Sequence, residues 1–132
     1  MKKQGILNCD LIKNIARLGH MDLFMIGDAG MPIPPNVEVV DLALCAGVPT
    51  FQQVLDAIMA ETEVEFYYLA DEIDSGNLAL ASYITRTMKG IEHISIPHKE
   101  LKELSAQCRF AVRTGEFSPY PNLILQAGVS FS

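Results

Sequence analysis

The chain has 132 residues, 49% of them hydrophobic and 20% charged, and ten basic residues against sixteen acidic ones leave a net charge of -6. A chain of this length is one ordinary domain, able to bury roughly two-thirds of its unfolded surface without staples. Phosphate backbones and anionic membranes are held by clustered Lys and Arg. No such cluster occurs, so nucleic acid and membrane are poor candidates as partners and a neutral ligand suits the balance better.

Three cysteines, Cys9, Cys45 and Cys108, are an odd number without CxxC spacing. That argues against a disulfide framework or a zinc knuckle, and each is expected to pack as a small hydrophobe in a reducing compartment. Met1-Lys2-Lys3 has the basic start of a signal peptide, but Asn8, Asp10 and Lys13 prevent a hydrophobic segment from developing behind it. No run approaches the roughly 20 apolar residues that span a bilayer. The expectation is a soluble, cytoplasmic protein.

In chain order, Asn8 is placed to cap a helix whose apolar positions are Leu11, Ile12, Ile15 and Leu18, and Gly19 is a natural stop. Leu23-Phe24-Met25-Ile26 reads as a buried strand ending in the loop Gly27-Asp28-Ala29-Gly30-Met31-Pro32. Val37 to Leu44 is a second strand. Thr50-Phe51-Gln52-Gln53 has the form of a capping box, and its helix carries Phe51, Val54, Leu55, Ile58 and Met59 on one face. Val64 to Ala70 is a strand, Leu78 to Met88 a helix, Ile91 to Ile96 a strand, and Lys99 to Ala106 a short charged helix. Arg109 to Val112 and Leu123 to Leu125 are late strands, with turn chemistry from Arg113 to Asn122 between them. Residues 1–132 therefore read as a single α/β domain with a largely parallel central sheet flanked by helices on both faces. Ligands in such folds gather beyond the strand ends, where Asp28 and His98 both fall.

Each polar candidate has an ordinary structural explanation beside the functional one. His20 fits an imidazolium against helix-terminal carbonyls, and Asp28 fits an Asx-turn. His98 fits the first turn of a helix, with Lys102 one turn further on the same face. His93 sits in a strand pattern. Arg113-Thr114-Gly115-Glu116 fits a turn with an exposed ion pair, Tyr120 a packing residue with a wet hydroxyl, and Asn122 a strand-entry residue bonded to its own backbone. No HExxH or other compact ligand spacing points to metal, no GxGxxG or GxxxxGK[ST] to nucleotide, and no GxSxG to a nucleophile elbow.

Four stretches in order resemble the D-ribose pyranase and fucose mutarotase family. They are Leu18-Gly19-His20-Met21-Asp22, Asp28-Ala29-Gly30-Met31-Pro32-Ile33-Pro34, Ile96-Pro97-His98, and RTGE followed by Pro119-Tyr120 and Asn122. The resemblance runs from about Gly5 to Phe131. It implies a cofactor-independent, metal-free isomerase that interconverts pyranose and furanose forms of a free monosaccharide, D-ribose foremost, with His20 as catalytic acid and Asp28, His98, Lys102, Tyr120 and Asn122 as sugar-binding residues. It also implies a homo-oligomer whose active sites are shared between adjacent subunits. Arg113 and Pro119 resemble the pyranase branch more than the fucose branch. Gly27, where a polar residue is expected before the aspartate, and Pro121, between Tyr120 and Asn122, depart from the pattern and bear on substrate preference.

The implied chemistry suits these side chains. Opening a cyclic hemiacetal needs a proton for the ring oxygen and loss of one from the anomeric hydroxyl. Histidine exchanges protons near neutrality, and positioned acid–base groups supply roughly 10² to 10⁴ in rate. A monosaccharide-binding module without catalysis and a fucose-type mutarotase are the alternative readings of the same residues.

Overall fold

The computed structural model describes residues 1–132. Its first element, α1 (Cys9–Ala16), starts where the Asn8 side chain accepts from the Leu11 amide, and it turns Leu11 inward. The helix ends at Arg17, short of Gly19, and the left-handed residue in the connection is Met21, at φ 74°. Hydrogen bonds explain this difference from the sequence reading. The Asp22 carboxylate holds the Gly19 amide at 2.8 Å, and the Met21 amide is docked on the Ala127 carbonyl at 2.8 Å. The turn is thereby fixed around residue 21 instead of 19.

Six strands form one sheet: β1 (Leu23–Gly27), β2 (Glu38–Asp41), β3 (Val64–Ala70), β4 (Glu92–Ile96), β5 (Phe110–Arg113) and β6 (Leu123–Ala127), in the order β2-β5-β1-β6-β3-β4. β1, β2 and β5 run parallel to one another, as do β3 and β4. β6 lies between β1 and β3 and is antiparallel to both. The largely parallel sheet is as expected, with this one reversed strand inserted at its centre.

Strand β2 is half the length expected. The Asp41 carboxylate accepts from the Ala43 amide, closing a local turn, and the chain beyond folds back so that the Leu44 amide donates to the Val48 carbonyl. The capping box of α2 (Phe51–Met59) forms as read, with Thr50 and Gln53 bonding each other's backbone. A short helix, α3 (Ile73–Gly76), lies outside the sequence expectation. It precedes α4 (Leu78–Thr87), which Asn77 caps. The last helix, α5 (His98–Leu104), runs into a 3-10 turn at Ser105–Gln107.

Alternation along the strands divides the core between the two faces of the sheet. On one face α1, α2 and α4 cover Phe24, Ile26, Phe110, Val112, Leu123 and Leu125, with Phe24 and Phe110 stacked at 5.2 Å. On the other, Leu101 of α5 and Met31 and Val37 of the loop after β1 cover Met25, Ala111 and Ile124. Each fully buried large side chain contributes roughly 1.5–3 kcal/mol. Of the cysteines only Cys108 packs inside, where burial pushes its thiol pKa up to about 12. Cys9 and Cys45 are exposed, which corrects the expectation for them. No helix is long and apolar enough to cross a membrane.

Thr50→Ala removes one half of the capping box and should cost about 1 kcal/mol of stability. Urea unfolding monitored by circular dichroism checks this; an unchanged midpoint would show that α2 does not depend on its cap.

Candidate active site

The parallel strands all end at the same edge of the sheet. Asp28 follows β1, Glu72 follows β3, His98 follows β4 and Thr114 follows β5. Because β6 runs the other way, the residue just before it, Asn122, arrives at this edge too.

Asp28 and Asn122 are joined by two hydrogen bonds. The Asp28 amide donates to Asn122 Oδ1 at 2.9 Å, and Asn122 Nδ2 donates to Asp28 Oδ2 at 3.0 Å. Asp28 Oδ1 accepts from the Gly30 amide at 2.9 Å, so the Asx-turn is present together with the pairing. Asn122 is fully buried and Asp28 half-buried. A carboxylate offers about four acceptor positions, so the Asp28 oxygens retain capacity for a ligand. The pair also accounts for Gly27: a Cβ there would stand 2.9 Å from Asn122 Oδ1 and 3.1 Å from Met31 Cβ. A polar side chain at position 27 would displace the amide that holds Asp28.

The RTGE segment is a clamp on this loop instead of the turn with an exposed ion pair that its sequence suggests, and Arg113 pairs with Asp41 of β2. Thr114 Oγ1 is buried and donates to the Gly27 carbonyl at 2.7 Å. Arg113 donates through Nε to the Ala29 carbonyl and through its guanidinium to Asp41. The Glu116 carbonyl receives the Ala29 amide, while its carboxylate accepts from the Phe51 amide at the start of α2 and from Ser118 Oγ. Beside the loop lies a cleft of about 480 Å³, lined by Asp28, Gly30, Arg113, Glu116, Phe117 and Ser118 among others.

His98 opens α5, and its amide donates to both Glu72 carboxylate oxygens, at 2.9 and 3.2 Å. Its Nδ1 is sealed in the protein without a partner, which leaves Nε2 as the nitrogen open to a ligand. A buried N–H without an acceptor costs more than an unused lone pair, so the tautomer favoured here carries its proton on Nε2. Burial, then the charge of Lys102, lower the His98 pKa, with Glu72 and Asp28 acting in the opposite direction. Lys102 lies four residues along the same helix. The His98 ring meets Tyr120 edge-on, with centroids 5.3 Å apart and planes at 84°.

Tyr120 has a left-handed backbone, φ 69°, and its carbonyl accepts from the Asn122 amide at 2.8 Å across the buried Pro121. The proline therefore sits inside the tight turn that delivers Asn122 to β6. His93 is exposed on the edge strand β4, its ring stacked on Tyr67 at 4.7 Å, and takes no part in this cluster.

His20 is elsewhere. It precedes β1, whereas Asp28 follows it, so the strand's five residues separate them by roughly 17 Å at about 3.3 Å per residue. Its side chain bonds no helix-terminal carbonyl; its Nε2 lies 3.0 Å from Glu65 Oε2 at the start of β3. Hydrogen bonds from Gln126 and then His20 hold the Glu65 carboxyl below the usual carboxylate range. One chain thus gathers Asp28, His98, Lys102, Tyr120 and Asn122 at one edge and leaves His20 at the opposite edge. Glu72 and Glu65, which anchor His98 and His20, carry no motif that would have marked them in the sequence, whereas Glu116 falls within the RTGE stretch.

The family's model matches residues 1–130. The chain belongs to the RbsD / FucU transport protein family. Among its relatives, the D-ribose pyranase of Lactiplantibacillus plantarum is 44% identical over 131 residues, covering 99% of this chain and 100% of the relative. The structure of Bacillus subtilis RbsD complexed with D-ribose matches with a TM-score of 0.96 and 43% identity, covering 99% of this chain and 100% of the other. A fucose mutarotase from Streptococcus pneumoniae, solved with L-fucose, superposes with a TM-score of 0.78 over 95% of each chain at 23% identity, and so shares the fold. Family membership and the single α/β architecture therefore stand as the sequence implied.

The depressed His98 pKa gives a sign that can be checked. The unfolded chain binds this proton more readily than the folded one, so the associated stability is complete above the ordinary value of about 6.5 and is lost as pH falls through the lower folded value. In an NMR titration His98 should stay neutral at pH 7 and protonate below 6.5. A midpoint above that value would contradict the buried, neutral ring.

Proposed function

We propose that this chain is an isomerase that interconverts the pyranose and furanose forms of free D-ribose by opening and reclosing the hemiacetal ring, at a site completed by a second copy of the chain. The observation that carries the reading is the Asp28–Asn122 pair standing beside His98 and Tyr120 at the strand ends, in a chain related along its whole length to D-ribose pyranases. The ribose complex of the Bacillus subtilis relative supports ribose as the ligand.

Each group has a hydrogen-bonding capacity that a sugar can use. The Asp28 carboxylate accepts from hydroxyls, His98 Nε2–H donates, and Tyr120 offers a phenol and an aromatic face. Lys102 can donate from the adjoining turn of α5. In the reaction His20 gives a proton to the ring oxygen as the bond from that oxygen to the anomeric carbon breaks. The anomeric hydroxyl loses its proton, giving the open aldehyde. A different hydroxyl then attacks that carbon, and the two proton movements run in reverse. Nothing is gained or lost overall, so no redox partner or leaving group is needed.

His20 cannot reach Asp28 within one chain, being held at the other edge by Glu65. Supply of His20 by a neighbouring subunit resolves the separation. The exposed apolar residues Leu44, Phe117 and Ile94 give such a neighbour surface to cover.

Exchange NMR on D-ribose tests the activity. The protein should accelerate pyranose–furanose exchange, exhaustive chelation should leave the rate unchanged, and His20→Ala should lower it by roughly 10²-fold or more with little change in melting temperature. Broadened ribose signals without faster exchange would make the protein a sugar-binding module. A fully active His20→Ala variant would overturn the acid–base role.

A further inference from the structure

Gly76 closes α3 in helical geometry: its amide donates to the Glu72 carbonyl at 2.9 Å, and it is not among the glycines with positive φ. Nothing in this backbone calls for glycine, which is disfavoured in helices relative to alanine. What requires the missing side chain is Tyr120. A Cβ on Gly76 would stand 2.8 Å from Tyr120 Cδ2 and 2.9 Å from Cε2. The phenol ring thus rests against the bare α-carbon of Gly76 while meeting the His98 ring edge-on.

The backbone carrying Tyr120 has little room to give way. Asn77 Nδ2 donates to Ser118 Oγ at 2.8 Å and to the Pro119 carbonyl at 2.9 Å, which ties the loop just before Tyr120 to the end of α3. Ser118 in turn donates to Glu116, and the Tyr120 carbonyl is occupied by the Asn122 amide. The left-handed conformation of Tyr120, unfavourable for a residue with a side chain, persists because these contacts hold it. Any group added at position 76 is therefore met by rotation of the Tyr120 ring.

We infer that Gly76 is a positioning residue for sugar binding, setting where the Tyr120 ring lies against the ligand by leaving space for it beside α3. This rests on the reading of Tyr120 as a sugar-binding residue. The effect falls on affinity for the sugar, because Gly76 acts only through the ring and not on the proton-transferring group.

A double-mutant cycle with D-ribose tests it. Exchange rates as a function of ribose concentration are measured for the wild type, Gly76→Ala, Tyr120→Ala and the double variant. Gly76→Ala should raise KM about tenfold with a much smaller change in kcat, the scale of coupling between touching side chains. In the Tyr120→Ala background the same substitution should change KM no further. An equal factor in both backgrounds, or no change with Tyr120 present, overturns the inference while Tyr120 keeps its role. If Tyr120→Ala itself leaves KM unaltered, the sugar-binding reading of Tyr120 falls, and this inference with it. Melting temperatures of the four proteins complete the cycle. Any loss of stability in Gly76→Ala should be relieved when Tyr120 is also replaced, and a loss that persists would assign the effect to α3 and contradict the proposal.

Discussion

The two hydrogen bonds between Asp28 and Asn122 tie the exit of β1 to the entry of β6, and the rest of the site is arranged around them. Asn122 is fully buried, so an unpaired amide there would cost on the order of 1–3 kcal/mol. Asp28 satisfies both ends of that amide and is thereby fixed in place. Glycine at position 27 leaves room for the approach, Thr114 holds the Gly27 carbonyl, and Arg113 and Glu116 hold Ala29 on either side. Glu116 carries the arrangement further, into the first turn of α2. A carboxylate on a loop thus acquires the rigidity of the sheet, which is what a hydrogen-bonding site for a flexible, hydroxyl-rich ligand needs.

The same reversed strand that brings Asn122 to Asp28 carries the end of β6 to the opposite edge, where the Ala127 carbonyl and amide dock the turn that holds His20. The geometry therefore assembles the proposed binding groups and removes the proposed acid in a single step. Within one chain, Glu65 holds His20 at the molecule's far edge and away from Asp28. Assembly of like chains is then part of the proposed chemistry, and dilution into monomers would separate acid from sugar.

Much of the fold could be read from the chain because its signals are local. The capping box at Thr50, the Asn8 cap and the strand Val64–Ala70 arise from short-range hydrogen bonding and alternation. The misplaced features are those set by distant partners or by very short elements. Met21 takes the left-handed turn because Ala127 holds it, β2 stops where Asp41 turns back on Ala43, and α3 is too short for any periodicity to reveal. The site shows the same division. Asp28 and His98 could be noticed from their places after strands, but the pairing of Asp28 with Asn122 spans 94 residues and depends on the sheet order. Gly76 and Glu65 carry no sign in the sequence, since their roles arise from what packs against them.

Cooperation between Asp28 and Asn122 of one chain and His20 of another is tested most directly by complementation between two inactive variants, His20→Ala and Asn122→Ala. Each is unfolded, mixed with the other and refolded, and the mixed assemblies are verified by native mass spectrometry before exchange rates on D-ribose are measured. Interfaces that join an intact His20 on one chain to an intact Asn122 on its neighbour should restore a substantial fraction of the wild-type rate. Mixed assemblies that form and remain as inactive as either parent would contradict the shared site.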